Sequence, residues 1–221
     1  MLDARLSMLS ALVPACGIAA DIGADHGFLG AALLASGRCT QVLFTDISEK
    51  SLRKARRHVS KLGLADRAVF ALGDGFDAFD IPVHAAVIAG MGGMVIAGIV
   101  ERGLDKLADT ALILQPNTGA AVLRERLAAM GFCIDDEELT RSGGRWYIAL
   151  RARRGVCALS ANEIIAGPVL LGKRHPLLCD YARWNIRVLT KAYAGAEQGP
   201  EYKARPIREE LAVWRQIEND R

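Results

Sequence analysis

Short apolar runs rich in β-branched residues alternate along most of the chain with longer stretches whose apolar positions recur at helical spacing. Strands are predicted at 17–21, 41–46, 68–72, 83–89 and 110–115, and helices at 27–36, 48–62, 93–102 and 118–130. This alternation is the signature of βαβ units, and hence of a parallel sheet covered on both faces. After Gly131 the pattern changes. Residues 132–139 and 145–151 are two extended runs joined by Arg141-Ser142-Gly143-Gly144, which predicts a β-hairpin and a sheet that ends in antiparallel strands.

From about residue 155 the strand signal stops. Gly167-Pro168 marks a turn, a helix is predicted from about Pro176, and Gly199-Pro200 breaks it. Beyond the break Ile207, Leu211, Trp214 and Ile217 fall at i, i+4, i+7 and i+10, an apolar stripe that a helical hairpin would cover. The expected organisation is an α/β domain over 1–154 and a small helical domain over 155–221. No Asp, Glu, Lys or Arg occurs between Asp80 and Glu101, long enough for a membrane span, but Pro82, His84, Gly90, Gly92 and Gly93 break it into a buried strand, a glycine turn and a helix. No membrane association is expected.

A chain of 221 residues, 51% apolar and 24% charged, can bury a full core. That excludes a disordered regulator, and the length excludes a pair of fused enzymes. The cysteines (Cys16, Cys39, Cys133, Cys157, Cys179) are scattered and odd in number, so reduced thiols are expected, with neither a zinc site nor a disulfide framework. The apolar N-terminal stretch is interrupted by Pro14 and Gly17, unlike a secretory signal, and the expected location is cytoplasmic. Charge is uneven: residues 151–221 carry 13 Lys and Arg against 8 Asp and Glu, whereas residues 1–150 carry 15 against 17. The positive potential gathers in the C-terminal third, where a polyanion could bind, although a solvated helical surface would look the same.

Chemistry concentrates at the predicted strand ends. The first strand leads into Asp21-Ile22-Gly23-Ala24-Asp25-His26-Gly27, a glycine turn opening a helix, where a nucleotide-like ligand can approach backbone N–H groups. Asp25 stands where a dinucleotide fingerprint needs its second glycine, and its carboxylate would repel a pyrophosphate. It would favour a sulfonium or amino group, which points away from NAD and toward S-adenosylmethionine. Asp46, followed by Ile47, ends the second strand, where a carboxylate can accept hydrogen bonds from both ribose hydroxyls. Asp74, between Gly73 and Gly75 after the third strand, could accept from the adenine amino group. Any one of these acids could equally cap a helix or turn; three at successive strand ends are harder to explain that way.

Asp21-Ile22-Gly23-Ala24-Asp25-His26, Gly73-Asp74-Gly75, Ile88-Ala89-Gly90-Met91-Gly92-Gly93, Leu112-Ile113-Leu114-Gln115-Pro116-Asn117 and Asp136-Glu137-Glu138-Leu139 resemble the bacterial tRNA adenine-N1 methyltransferases that modify position 22. The resemblance runs in order to about Arg151, and the helical tail after Gly167-Pro168 is similar too. It implies a seven-stranded, Rossmann-like class I methyltransferase sheet, a coiled-coil-like C-terminal domain, S-adenosylmethionine as donor and tRNA as acceptor. The chain departs from the family pattern at Ala24, Phe28 and Asp46, where Ser, Tyr and Glu are frequent. Phe28 cannot make a hydroxyl hydrogen bond, and Asp46 must reach a ribose with one methylene less.

Adenine N1 carries an in-plane lone pair, so methyl transfer needs alignment more than a strong base. Positive charge develops over N1 and the exocyclic nitrogen, and a neighbouring carboxylate would stabilise it or take the amino proton. Asp25 is the candidate for that catalytic part, with a cap on the following helix as its structural alternative. The expected cofactor residues are Asp21, Gly23, His26, Asp46, Ile47, Asp74, Gly75, Ala89, Gly90 and Met91. His26 could equally satisfy the turn's backbone or position the base. Gly92, Gly93, Gln115, Pro116 and Asn117 are expected near the acceptor, and Arg183, Arg187 and Lys191, at i, i+4 and i+8, form a basic row that could track phosphates. No metal is expected, and the oligomeric state is open, a monomer being compatible. The competing readings are a methyltransferase for another RNA or a small acceptor, and a non-catalytic S-adenosylmethionine-binding RNA adaptor.

Overall fold

The structure, a computed structural model, describes residues 2–220, which form two compact units, one through Ala158 and one from Leu159. The first unit contains helix α1 (Ala4–Leu12) and then β1 (Cys16–Ile22), α2 (Phe28–Ala35), β2 (Cys39–Asp46), α3 (Glu49–Lys61) and β3 (Ala68–Leu72). It continues with β4 (Ala85–Gly92), α4 (Gly93–Arg102), β5 (Ala111–Thr118), α5 (Ala120–Ala129), β6 (Phe132–Ser142) and β7 (Arg145–Arg154). The seven strands form one sheet in the order β3-β2-β1-β4-β5-β7-β6, parallel through β5 and antiparallel at β7 and β6. This is the Rossmann-like α/β sheet that the alternating pattern and the resemblance lead one to expect.

The central strands are apolar without interruption because both faces are covered. Ala19, Val42, Phe44, Val87 and Ile113 face one core, closed by Leu9 and Leu12 of α1, Leu33 of α2 and Leu52 and Val59 of α3. Their neighbours Ala20, Leu43, Ile88, Leu112 and Leu114 face the other, closed by Ile96 and Val100 of α4 and Leu123 and Leu127 of α5. The chain winds outward from β1 to β3, then returns to place β4 on the other side of β1. The connections leaving β1 and β4 therefore diverge, opening a crevice at their carboxyl ends.

The uncharged stretch is β4 followed by the first turns of α4, as its glycines indicate, and no helix among the described residues is long and apolar enough to cross a membrane. The hairpin turn is tighter than the four residues marked for it. Strand pairing runs to Ser142 and Arg145, leaving Gly143 and Gly144, both left-handed at φ 55° and 78°, as a two-residue turn whose twist matches the strands. Helix α1 has no counterpart in the expected elements: its apolar residues do not form one clean stripe, and its start rests on Asp3, which accepts from the Leu6 N–H at 2.8 Å.

The second unit holds α6 (Ala161–Ala166), α7 (Pro168–Gly172), α8 (Leu178–Ala196) and α9 (Glu201–Asn219). Helices α8 and α9 form the expected hairpin: Leu211 and Trp214 are buried, Ile207 and Ile217 partly so, and Tyr181 meets the Trp214 ring edge-on at 5.3 Å. Short helices α6 and α7 were not anticipated, although Ser160 and Glu163 form a capping box that the sequence displays as Ser-x-x-Glu.

Between α5 and β6, Arg124 Nε donates to Glu137 Oε1 at 2.8 Å with both side chains fully buried. Glu137→Gln should cost about 3–5 kcal/mol in urea unfolding, because it removes a carboxylate charge that is hydrogen-bonded to a buried guanidinium. An Arg124→Met/Glu137→Leu double variant, which removes both charges, should recover most of that loss.

Candidate active site

The crevice is built around the turn that follows β1. Gly23 and Ala24 donate their N–H groups to the Thr45 carbonyl at 2.8 and 2.9 Å, which lashes the turn to the end of β2. Gly23 is left-handed at φ 73°, a conformation that favours glycine, and the end of the Met91 side chain lies against it, 2.6 Å from where a Cβ would stand. Asp25 is also left-handed, at φ 44°, a conformation that aspartate tolerates better than most residues. Its N–H donates to Asp46 Oδ2 at 3.0 Å, and Asp46 Oδ1 accepts from Ser48 N–H at 2.8 Å.

Asp21 is buried beneath this turn and accepts the Gly30 N–H of α2 at 3.0 Å. Burial pushes its carboxyl up to about 6; the Gly30 hydrogen bond opposes the shift, the Asp46 charge adds to it and Arg5 opposes it. Asp25, by contrast, is 61% exposed at its side chain. Helix α2 has Gly27 at its N-cap and no side-chain capping bond, so the cap alternative for Asp25 does not hold. The carboxylate instead lies 3.7 Å from Lys54 Nζ and 3.6 Å from His26 Nε2. His26 Nε2 is itself 3.3 Å from Lys54 Nζ, and its ring stacks on Phe28 at 5.4 Å. His26 thus serves side chains around the turn, not the turn's backbone.

Two cavities open here. One of about 530 Å³ is lined by Asp21, Gly23, Asp25, His26, Ala89, Gly90 and Met91 from the expected set, with Arg5, Leu6 and Phe28 among its other walls. The second, of about 500 Å³, is lined by Asn117 of β5, by Arg145, Trp146 and Tyr147 of the hairpin, and by Asp3, Arg5 and Gly90, which it shares with the first. Arg5 is the hinge between them. Its Nη1 donates to Gln115 Oε1 at 2.9 Å, Gln115 Nε2 donates to Asn117 Oδ1 at 3.0 Å, and Asn117 Nδ2 donates to the Gly90 carbonyl at 2.7 Å. The guanidinium also lies 5.8 Å from the centre of the Tyr147 ring.

Other expected residues are placed differently. Asp46 stands under the turn with both oxygens accepting backbone N–H groups; any ribose contact would use its remaining lone pairs. Ile47 is exposed at the strand end, and Asp74, just past β3, is ion-paired with Arg102 at 2.8 Å beside the buried, left-handed Gly75. Gly92 and Gly93 are not among the walls of either cavity. A Cβ on Gly93 would come within 2.2 Å of the Gly119 carbonyl oxygen, so its smallness serves the packing of two turns. Gln115 and Pro116 are buried in β5, and only Asn117 reaches the second cavity. Arg183, Arg187 and Lys191 lie on α8 in the second unit, where Arg183 is neutralised by Asp180 at 2.8 Å and Glu218 at 3.3 Å. Arg5, Trp146 and Tyr147 were missed: no local motif marks them, and they reach the site only through the placement of α1 and the hairpin.

Comparison with known proteins finds the same chemistry. Residues 2–150 match the family model described as a methyltransferase domain. The tRNA (adenine(22)-N(1))-methyltransferase of Bacillus subtilis is 34% identical over 183 residues, covering 79% of this chain and 76% of its own. The crystal structure of the B. subtilis M1A22 tRNA methyltransferase superposes with a TM-score of 0.88 at 26% identity, covering 99% of each chain. A Streptococcus pneumoniae structure in complex with S-adenosyl-L-methionine gives 0.89 at 28% identity, covering 99% of this chain and all of that one.

The raised Asp21 carboxyl makes the stability of the ligand-free protein depend on pH. Between its ordinary value of 3.8 and about 6 the folded chain holds a proton that the unfolded chain has released, so this group's contribution to stability is fullest below 3.8 and is lost as pH rises through about 6. The fall due to this group is about 3 kcal/mol. Asp21→Asn, which mimics the protonated form, should remove that part of the slope in urea titrations across this range; an unchanged slope would assign it elsewhere.

Proposed function

The chain belongs to the tRNA (adenine(22)-N(1))-methyltransferase family, an S-adenosylmethionine-dependent enzyme acting on N1 of a tRNA adenine, and we propose that adenine 22 is its acceptor. The observation that carries the site assignment is the pair of adjoining cavities with Asp3, Arg5 and Gly90 as their common wall. A transfer between two ligands needs two pockets that meet, and these meet at the end of β4 beside the turn after β1. A tRNA substrate also argues for a cytoplasmic enzyme.

The residues of the first cavity fit a cationic nucleoside donor. At about 530 Å³ it lies within the range of small-molecule sites, Gly23 brings backbone without a side chain to its wall, and Asp21 and Asp25 add negative charge beside Arg5. When bound, S-adenosylmethionine supplies an electrophilic methyl group on a sulfonium. Asp25, exposed toward the cavity, would stabilise the positive charge that develops over the adenine N1 and amino nitrogen, or take the amino proton. Lys54 and His26 hold that carboxylate in place, and Asp46 holds its backbone.

The second cavity fits a flat, neutral base. Tyr147 and Trp146 place aromatic rings in its wall, the Asn117 side chain is fixed by Gln115 and the Gly90 carbonyl, and Arg5 fixes Gln115 in turn. The Arg5 chain thereby positions the acceptor wall relative to the donor wall.

The decisive experiment incubates the protein with labelled S-adenosylmethionine and bacterial tRNA, then locates the modified nucleoside by nuclease digestion and mass spectrometry. N1-methyladenosine at position 22 is expected; a product elsewhere would move the acceptor, and binding of both ligands without transfer would make the chain an adaptor. S-Adenosylmethionine should raise the melting temperature by mass action while NAD should not. Asp25→Asn should leave the melting temperature and tRNA affinity intact and lower single-turnover methylation at saturating donor by roughly 10²–10³. Loss of donor affinity in proportion to activity would instead make Asp25 a cofactor residue.

A further inference from the structure

Helix α3 is the most densely basic element of the first unit, with Lys50, Arg53, Lys54, Arg56, Arg57 and Lys61 against a single acid, Glu49. Its three other faces have structural work. Leu52, Ala55 and Val59 are buried in the core; Lys54 and His58 lie toward the catalytic turn, Lys54 at Asp25 and His58 edge-on to Phe28 at 4.8 Å; Arg56 covers the Phe70 ring at 5.1 Å. The remaining face is an exposed row of Lys50, Arg53, Arg57 and Lys61, spaced 3, 4 and 4 residues and so about 16 Å long. None of the four makes an ion pair with a carboxylate of the described residues.

Such a row works against folding. Cations three and four residues apart on a helix repel one another, and Lys50 in the first turn stands at the positive end of the helix dipole. In the tail helices Arg183 pairs with Asp180 and Glu218, Arg205 with Glu209, and Arg208 with Glu201, whereas Arg187 and Lys191 of α8 make no ion pair among the described residues. A self-repelling row left without counter-charges, on a helix whose flank touches the Asp25 carboxylate, is matched by a polyanion.

We propose that this exposed face of α3 docks the phosphate backbone of the tRNA substrate, an inference that rests on the tRNA-methylating function above. Phosphates would supply the counter-charges that the fold withholds, and Lys54 on the adjacent flank ties the docked strand's position to the turn that carries Asp25.

The test compares full-length Arg53→Gln/Arg57→Gln with a control of equal charge loss on the same unit, Arg126→Gln/Arg153→Gln, whose arginines pair with Glu101 and Asp135. Binding of bacterial tRNA is measured across a salt series, and S-adenosylmethionine affinity by calorimetry. The α3 variant should show a slope of log affinity against log salt shallower by roughly 1–2, a melting temperature equal to or above that of the parent, and unchanged donor affinity. The control should keep the parental slope. A parental slope in the α3 variant, or an equal loss in the control, overturns the docking surface. Failure of the functional reading shows separately, as unmodified tRNA after incubation of the parent protein with donor.

Discussion

Two backbone N–H groups, those of Asp25 and Ser48, converge on the carboxylate of Asp46 at 3.0 and 2.8 Å. The first belongs to the turn after β1, the second to the residue that caps α3. The clamp adds to the Gly27 N–H to Ala24 carbonyl bond of the turn itself in holding Asp25 at a positive φ, where a non-glycine residue needs support from its surroundings. The clamp also fixes where α3 begins, and hence that Lys54 falls against Asp25 and that the row from Lys50 to Lys61 faces outward. Site geometry and surface charge thus share one carboxylate, and the position that the sequence suggests for ribose recognition has a structural duty.

Much of the sheet could be read from the sequence because its strands are apolar on both faces and its connections are short. The spans 68–72 and 93–102 coincide with β3 and α4, and the other elements of the sheet are displaced mainly at their ends. The glycine turn was legible for a similar reason: Asp21, Gly23 and Asp25 are adjacent in sequence, and a turn of that kind allows few conformations. Residues of the first cavity from β4, Ala89 to Met91, were legible because strand ends at the carboxyl edge converge in such a sheet.

What escaped were relations between distant segments. Arg5 meets Gln115 across 110 residues, and Tyr147 reaches the same cavity from the hairpin. Gly93 shows how a motif residue can have a packing duty: it sits in the Gly-Met-Gly-Gly run that resembles a family signature, and the Gly119 carbonyl forbids a side chain there. Averaging hides local charge. Residues 1–150 carry a slight acidic excess as a whole, which conceals a helix with six cations and one acid, while the more basic tail spends several of its arginines on its own glutamates and aspartates.

The same distribution resolves a conflict that the reaction imposes. A sulfonium donor and a developing adenine cation favour carboxylates, and Asp3, Asp21 and Asp25 line the first cavity together with Arg5. A polyanionic acceptor is repelled by those same groups. Exposed charges are screened over about 8 Å at physiological salt, so acids inside a cavity and cations on an outer helical row can act on different parts of one substrate. Lys54 stands at the boundary, 3.7 Å from Asp25 on the flank of the basic helix. It tempers the carboxylate field where the two regimes meet, without burying it, and leaves Asp25 exposed on the cavity wall.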